Sequence, residues 1–526
     1  MTCPTTRRLL LASALLLGGA GGAAAQNLTI AIGGSPTSLD PHFYNASPNI
    51  SLTQHLFDRL VEQDAQARTR PMLAESWRTV EPTIWEFKLR SGVKWHDGRD
   101  LTADDVAFTI ERVPTVRNSP GTFAGLIRAI TRVEVVDPLT IRFHTARPHP
   151  LLPTELAAIQ IISRHAGTGA ETEQYNAGTA AVGTGPYRLV SYRSGDRTEF
   201  VRNDGYWGRA QPWARVSYRF VANDAARTAA LLAGDVDVID QVPSTDLARL
   251  RRDPRISLFE IQGLRLIYLM PNFDRTGEPL FATDNDGRPL PRNPFHDVRV
   301  RRAMSIAIDR QALADRVMEG TARPTGQWLP EGAFGYNPDV PVPAHDPEGA
   351  RRLLAEAGYP QGFRIQLNGP NDRYMNDARI IQAVGQMWTR VGVRTAVEAQ
   401  PWTTFVGRAG RQEYSAFLIG WGSNPDGSHP LRNILATYSR ERGWGASNRG
   451  RYSNPQVDTL LEQSLSEMDE AKREGMVVDA MRIAMQDVGV IPLHIQTNIW
   501  AARRGFEHTA RRDELTRAQD LRPAAR

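Results

Sequence analysis

Two helical patterns in the second half of the sequence are each followed by a glycine and then by a short strand pattern. Residues 346–357 have helical spacing and precede a strand pattern at 363–367, and residues 376–391 precede another at 393–398. Regular alternation of helix and strand is typical of α/β domains, in which helices cover a sheet. We therefore predict an α/β fold for this half of the chain.

The first half has shorter elements. Two strand patterns at 132–136 and 139–144 are joined by a turn, and residues 186–202 form a second hairpin pattern. The whole chain has 526 residues, of which 41% are hydrophobic. At roughly 100–200 residues per domain, this length predicts about three domains with large cores.

The amino-terminal segment 1–25 has the features of a secretory signal peptide. Arg7 and Arg8 precede an apolar stretch over 9–17, and small residues lead to an alanine run that ends at Ala25. We predict cleavage after Ala25 and export to the periplasm, by the general or the twin-arginine route. Cys3 lies upstream of the apolar stretch, where a lipoprotein signal does not place it, so we do not expect a lipid anchor. Because Cys3 is the single cysteine, the exported chain is free of thiols and disulfides.

The charge balance argues against nucleic acid or a membrane surface as a partner. The 63 basic and 58 acidic residues leave a net charge of +5. Lys88, Lys94 and Lys472 are the lysines, so arginine supplies nearly all the positive charge. No long basic run stands out.

The catalytic and metal-binding motifs tested do not fit this sequence. The 11 histidines lack metal-ligand spacing. Ser91 and Lys94 match the S-x-x-K motif of acyl-transferring enzymes, but the later K-T-G is missing and the pattern lies in a strand and turn. No G-x-S-x-G elbow, phosphate-binding loop or dinucleotide fingerprint is present. The sequence therefore predicts a protein that is not an enzyme, with no catalytic residues, metal site or cofactor.

Ordered sequence blocks carry the most specific signal. They are Leu73-Ala-Glu-Ser-Trp77, Trp85-Glu-Phe-Lys-Leu-Arg90, Gly92-Val-Lys-Trp-His-Asp-Gly98, Gly183-Thr-Gly-Pro-Tyr187, Leu232-Ala-Gly-Asp-Val-Asp237, Val298-Arg-Val-Arg-Arg-Ala-Met304, Arg351-Arg-Leu-Leu-Ala-Glu-Ala-Gly358 and Tyr452-Ser-Asn-Pro455. In this order they resemble the family 5 solute-binding proteins of ABC importers, the group that includes dipeptide-, oligopeptide- and nickel-binding proteins. The resemblance covers nearly all of the chain after residue 25.

The resemblance implies a two-lobed periplasmic-binding-protein clamshell of type II-like architecture, with an extra α+β subdomain in lobe I. The implied division is signal peptide 1–25, lobe I at 26–57, subdomain 58–181, lobe I again at 182–270, lobe II at 271–488, and lobe I with the carboxy-terminal tail at 489–526. Hinge closure buries the ligand between such lobes.

One implied ligand-binding segment follows the apolar run Phe417–Trp421. The family places an aspartate that binds a peptide's α-amino group after the Gly-Trp pair, and alignment on Trp421 puts Asn424 at that position. An amide lacks the charge that a buried ammonium group requires. Asp426 could take over this role, or Asn424 and Asp426 could only shape a turn.

Five further residues are implied as ligand-binding candidates, two of them with a structural alternative. Arg373 lies near the position at which dipeptide binders present an arginine to the ligand carboxylate. Trp402 resembles a cleft aromatic residue, with core packing as the alternative. Tyr268 and Asn272 lie where lobe I leads into lobe II, and Asn45 follows the first strand in what could equally be a surface turn.

The resemblance implies a monomeric periplasmic receptor that captures a peptide or peptide-sized organic solute for an ABC permease and its ATPase. Related ligands left open are an opine, a glutathione-like molecule, a metal chelate or haem. A chaperone or co-receptor that holds peptides is a further alternative, and an exported enzyme is the least favoured.

Overall fold

The structure is a computed structural model that describes residues 26–273, 282–422 and 425–524. The predicted signal peptide, its cleavage site and Asn424 lie outside these ranges. In the described ranges, no helix has the length and apolarity that a membrane crossing requires.

The strands, numbered in chain order, build one large sheet and three small ones. They are β1 (Gln26–Ile32), β2 (Val61–Gln63), β3 (Thr69–Pro71), β4 (Ala74–Glu81), β5 (Ile84–Leu89), β6 (Ile130–Asp137), β7 (Thr140–Thr145), β8 (Tyr187–Arg193), β9 (Arg197–Arg202), β10 (Trp213–Phe220), β11 (Val238–Ile239), β12 (Ile256–Pro271), β13 (Ala322–Pro324), β14 (Phe363–Pro370), β15 (Val393–Gln400), β16 (Ala416–Gly422), β17 (Ile491–Arg503), β18 (Phe506–His508) and β19 (Leu521–Pro523).

The helices lie between these strands, with the longer ones in the second half of the chain. They are α1 (Ser47–Thr53), α2 (Ala103–Arg112), α3 (Ala124–Ile127), α4 (Leu152–Leu156), α5 (Arg164–Gly167), α6 (Thr172–Asn176), α7 (Asp224–Ala233), α8 (Ser244–Arg252), α9 (Val298–Ile306), α10 (Arg310–Ala312), α11 (Pro347–Glu356), α12 (Asp377–Arg390), α13 (Trp402–Gly410), α14 (Ser428–Pro430), α15 (Pro455–Ser464) and α16 (Glu470–Gln486). Alternation of helices with strands confirms the α/β prediction.

The large sheet runs through both halves of the chain. Its order is β15-β14-β16-β12-β17-β11-β1-β10-β9-β8, with β13 paired to β17. The two longest strands, β12 and β17, pair antiparallel at its centre. Strands β14, β15 and β16 of the second half lie on the β12 side of this pair, and the first-half strands lie on the β17 side, where the short strand β13 of the second half also pairs. β12 and β17 are therefore the strands through which the two halves of the sheet are joined.

Apolar side chains form separate buried clusters rather than one continuous core. The largest runs from Leu266 to Ile495, and a second lies within Leu60–Ile161 beneath the four-stranded sheet β4-β5-β7-β6. In each of the two remaining clusters, apolar side chains of β1 pack with side chains between residues 162 and 256 and with side chains of the carboxy-terminal segment. The limits of the lobes and the subdomain stay a prediction.

Helix α1 is shorter than the sequence pattern indicates. Helical spacing predicts a helix over 49–60, but α1 ends at Thr53. The carbonyl groups of His55 and Leu56 instead accept hydrogen bonds from the backbone N–H groups of Tyr187 (3.0 Å) and Gly185 (2.8 Å). Pairing with a distant segment thus replaces the last turns of the helix.

This close approach explains the glycines of the block 183–187. A Cβ atom at Gly183 would lie 1.7 Å from the carbonyl oxygen of Leu56. We expect Gly183→Ala to lower the free energy of unfolding by about 3 kcal/mol, because the backbone must move to admit a methyl group. Gly125→Ala in α3 is the control, since a Cβ there meets no atom within 4 Å. Denaturant titration measures both variants, and equal values for the two would contradict this account.

Candidate functional site

Strand β12 bends where it crosses the centre of the large sheet. Its register with β17 shifts between Gln262 and Leu266. At Gly263, an added Cβ would meet the Asn498 side chain at 2.8 Å. The next residues carry the charged side chain Arg265 into an otherwise apolar run. Arg265 pairs with Gly422, the last residue of β16.

Arg265 forms an ion pair with Glu514 of the carboxy-terminal segment. Nε of Arg265 donates to Oε2 of Glu514 at 3.0 Å, and Nη2 donates to Oε1. Ser47, the first residue of α1, donates its hydroxyl to Oε1 at 2.6 Å. The side chains of Arg265 and Glu514 are 9% and 23% exposed. Three segments that are distant in the sequence therefore meet at one half-buried carboxylate.

Glu514 is ionised and its backbone is strained. Burial alone would raise the pKa of its carboxyl, but the charge and hydrogen bonds of Arg265, the Ser47 hydroxyl and the charge of Arg373 hold the pKa below its ordinary value. The residue has φ 60, in the left-handed region that side chains other than glycine seldom adopt. Such strain persists where surrounding contacts enforce it, and it occurs often at functional sites.

An aromatic wall stands beside this ion pair. The Tyr374 hydroxyl donates to the carbonyl oxygen of Gly420 at 3.0 Å. The Arg265 guanidinium lies 5.7 Å from the centre of the Tyr374 ring. The Arg373 guanidinium lies 5.4 Å from the same ring and 5.6 Å from the ring of Trp402. Cations over aromatic faces are held by the ring quadrupole, so Tyr374 and Trp402 orient Arg373.

Gly420 leaves room for this wall. A Cβ atom there would lie 2.8 Å from Cε1 of Tyr374 and 2.7 Å from Cδ1 of Ile267. The glycine of the Gly-Trp pair is therefore needed for close packing of Tyr374 on β16.

Trp421 contacts the half-buried His429. Its indole Nε1 lies 3.5 Å from Nδ1 of His429, and the two ring centres are 5.7 Å apart. Burial and the charge of Arg432 together lower the pKa of His429 to about 4. The imidazole is therefore neutral at pH 7.

Arg432 lies in a π-helical turn over Leu431–Leu435, directly after α14. Its Nη1 atom is 2.8 Å from Oε1 of Glu155, which belongs to α4 in the first half of the chain. His149 reaches the other carboxylate oxygen, with Nε2 to Oε2 at 2.6 Å. An ion pair therefore joins the turn beyond Trp421 to the region around the four-stranded sheet.

Asp426 lies close to Trp421 in the sequence, but its carboxylate contacts helix α16. Arg473 Nη1 donates to Oδ2 of Asp426 at 2.7 Å, and both side chains are 10% exposed. Oδ1 accepts the backbone N–H of Ser428 at 2.9 Å. Among the described contacts of Asp426 are thus a turn and a buried ion pair, and its role toward a ligand stays a prediction.

The structure brings Arg373 and Trp402 together beside Tyr374, whereas Trp421 contacts His429 and the other candidates lie apart. Tyr268 is fully buried with its ring 4.8 Å from that of Trp328, and burial raises the pKa of its phenol. Asn272 is buried and donates through Nδ2 to the carbonyl groups of Gln412 (3.0 Å) and Tyr414 (2.9 Å). Asn45 is exposed, and its backbone N–H bonds to the carbonyl of Gly121 at 2.8 Å. The ligand-binding role of these residues stays a prediction.

Sequence reasoning missed Arg265, Glu514, Ser47, Arg432 and Glu155. Arg265 had a signal, because it is the one charge in the apolar run Leu264–Met270. The other four carry none, since each is one of many similar residues and gains its role through a distant partner.

No group of three or more His, Cys, Asp or Glu side chains in the described parts of the chain is arranged to hold a metal ion. The charged groups of this region are instead guanidinium and carboxylate side chains beside aromatic rings. Such a set suits an organic molecule with polar ends.

The sequence and the structure both match known binding proteins. The sequence profile described as bacterial extracellular solute-binding proteins, family 5 Middle, matches residues 68–441. Heme-binding protein A of Haemophilus influenzae is 30% identical over 86% of this chain and 82% of its own length. The dipeptide-binding protein of Escherichia coli is 29% identical over 88% of each chain. The solved structure of HbpA2 from Haemophilus parasuis superposes with a TM-score of 0.78 at 25% identity, covering 95% of this chain and all of the other.

Proposed function

Because this chain belongs to the bacterial extracellular solute-binding proteins of family 5, we propose that it is the periplasmic receptor of an ABC importer. It captures a peptide or peptide-sized organic solute between two lobes and delivers it to the membrane permease. The lobes follow the division given above, with 26–57, 182–270 and 489–526 in one lobe and 271–488 in the other. The paired strands β12 and β17 support a hinge at this junction, because the sheet passes from one half to the other through them.

One observation supports a ligand that bears a carboxylate. The Arg373 guanidinium is oriented by two aromatic rings and has no hydrogen bond or ion pair among the described residues. A planar guanidinium in this situation suits a carboxylate, which can accept two parallel hydrogen bonds. We therefore assign Arg373 to a carboxylate of the solute, with Trp402 and Trp421 as aromatic walls.

A cationic group on the solute needs a carboxylate partner. The Asp426 carboxylate already pairs with Arg473 in a buried position. Glu514 is ionised and 23% exposed, and its charge lies at the junction of the two halves of the sheet. We therefore assign an ammonium group of the solute to Glu514 rather than to Asp426.

The partners follow from the proposed transport role. The receptor is exported, acts as a monomer without catalysis, and docks in its ligand-bound form on a permease driven by an ATPase. It binds no nucleic acid. Haem is the second candidate ligand, because one similar protein is named a heme-binding protein.

Mass spectrometry of the solute released on denaturing the natively purified protein tests this function. We expect a carboxylate-bearing peptide-sized molecule. A thermal-shift screen with di- to pentapeptides, glutathione, an opine and haemin should show a response to one class. Response to haemin alone would replace the peptide assignment, and turnover of peptides by the purified protein would contradict a binding-only role.

Replacing Arg373 by Met tests the carboxylate assignment. We expect dissociation constants for dipeptides to rise roughly 10- to 100-fold, the usual value of a charged hydrogen-bonded contact. A carboxy-amidated dipeptide should bind wild type and variant equally weakly in calorimetry. The control is Arg379→Met, because Arg379 lies on the surface of α12 and pairs with Glu319. If Arg379→Met weakens binding as much as Arg373→Met, the assignment fails.

A further inference from the structure

The pair formed by Glu155 and Arg432 is the most deeply buried ion pair between the region 58–181 and the second half of the chain in the described contacts. Their side chains are 4% and 16% exposed. Glu155 lies on α4, and Arg432 lies on the π-helical turn that follows Trp421 and α14. The two residues approach to 2.8 Å although the sequence separates them widely.

Both sides of this contact are firmly anchored. On the first side, His149 binds Glu155, and its backbone carbonyl accepts the Trp85 indole N–H from strand β5 at 3.1 Å. On the second side, the Arg432 carbonyl accepts the backbone N–H of Gly445 at 2.8 Å. Because both residues are held by these hydrogen bonds, a displacement of Glu155 would displace Arg432 as well.

Glu155 is charged in this position. Burial alone would raise the pKa of its carboxyl, but the charge of Arg432 and the hydrogen bond from His149 hold the pKa below its ordinary value. A buried carboxylate separated from its arginine would be left without compensation. The contact therefore favours the arrangement in which the two regions touch.

His429, which contacts Trp421, lies on α14, directly before the turn that carries Arg432. The Asn433 side chain donates to the His429 carbonyl at 2.8 Å and links this turn to α14. Glu155 is thus linked through Arg432 and His429 to Trp421, which the proposed function assigns as a wall of the ligand site.

Weaker contacts surround this pair. Arg128 donates to the carbonyl of Glu441 at 2.6 Å, and Arg147 lies 3.5 Å from Glu462. These side chains are exposed, and exposed pairs contribute little to stability. Glu155 and Arg432 therefore form the least exposed of these charged contacts.

We propose that Glu155 is a positioning residue of the ligand cleft. By holding Arg432 it fixes the turn that supports Trp421, and it makes the region 58–181 a third wall that closes against the second half of the chain. The proposal rests on the proposed function in that the cleft is the ligand site. The approach of the region 58–181 to the second half of the chain through Glu155 can be measured without any solute.

Electron-spin distance measurements test this closure. The chain after residue 25 contains no cysteine, so labels can be placed through Val136→Cys in β6 and Val342→Cys, whose native side chains are 44% and 45% exposed. Solute is removed by unfolding and refolding. We expect a short-distance population in wild type that falls at least threefold in Glu155→Gln.

The matched control is Glu86→Gln. Glu86 is 5% exposed and pairs with Arg78 and Arg142, all within the four-stranded sheet. This variant should keep the wild-type distance distribution although it loses a similarly buried carboxylate. Arg432→Gln should reproduce Glu155→Gln, and the double variant should be no more open than either single variant.

Three outcomes overturn the proposal: a wild-type distribution without the short-distance population, an unchanged distribution in Glu155→Gln, or an equal change in Glu86→Gln. A failed solute screen leaves this measurement intact, because no solute takes part in it. Conversely, failure here leaves the receptor function standing and removes only the role of Glu155.

Discussion

Replacing Glu514 by Gln is expected to lower the free energy of unfolding by about 3 kcal/mol, because it leaves the buried Arg265 guanidinium without its counter-charge. The amide also accepts weaker hydrogen bonds from Arg265 and Ser47. Chemical denaturation at pH 7 measures this loss. The variant should also bind free-amine dipeptides more weakly than wild type, while amino-acetylated dipeptides should be less affected.

Two controls separate the ion pair from a general loss of charge. Glu413→Gln removes a carboxylate that is 37% exposed and pairs with Arg408 and Arg411, so its effect should stay below about 1 kcal/mol. The double variant Arg265→Met with Glu514→Gln should recover part of the lost stability, since no unpaired charge remains. A Glu514→Gln variant as stable as Glu413→Gln would show that the pair contributes little.

Stability is expected to fall steeply as the pH is lowered from about 6.5 to about 4. Burial lowers the pKa of several histidines to about 4; they are His42, His55, His96, His429, His494 and His508. In the unfolded chain the same groups titrate near 6.5. Between these values the unfolded chain binds more protons, so each histidine contributes about 1.4 kcal/mol per pH unit to the loss.

Three carboxyl groups act in the opposite direction. Burial raises the pKa of Asp58 and Asp240 to about 6, and it also raises the pKa of Asp377. The folded protein holds these protons over the range in which the unfolded chain releases them, so these groups favour folding at lower pH. Six histidines outweigh three carboxyls, and the net sign is a gain in stability as the pH rises from 4 to 6.5. Urea titrations at several pH values measure the slope.

Substitution of His494 tests this pH dependence most directly. Its ring is buried, and neither ring nitrogen has a hydrogen-bond partner among the described residues. His494→Phe should reduce the slope by up to about 1.4 kcal/mol per pH unit. His345→Gln is the control, since that side chain is 41% exposed. A slope unchanged by His494→Phe would contradict the assignment of a buried neutral imidazole.

Local patterns predicted elements well wherever contacts within a few residues decide the structure. The strand patterns at 132–136 and 139–144 form the predicted hairpin β6–β7, joined at Pro138. The same reasoning was wrong for α1 beyond Thr53. There the carbonyl groups of His55 and Leu56 accept hydrogen bonds from a distant glycine-rich segment instead of from the next turn of a helix. Periodicity carries no information about such a partner.

In the candidate site, too, some features follow from local sequence and others from contacts between distant segments. Trp421, Arg373 and Trp402 were predicted from the resemblance to a family, and the structure places Arg373 and Trp402 beside Tyr374 but Trp421 against His429. Asp426 has the right chemistry at nearly the right position, yet Arg473 pairs with it. An arginine-rich sequence offers each carboxylate many potential partners, and packing alone selects one.

The sequence by itself determined the α/β class, the membership of a solute-binding family and the segments that bear the candidate site residues, because helix and strand periodicity and ordered motifs are local properties. Only the tertiary structure decided which charges meet. Arg265 with Glu514 and Glu155 with Arg432 join segments far apart in the chain. Coulombic attraction depends on distance in space and on exclusion of water, and both are set by the packed fold.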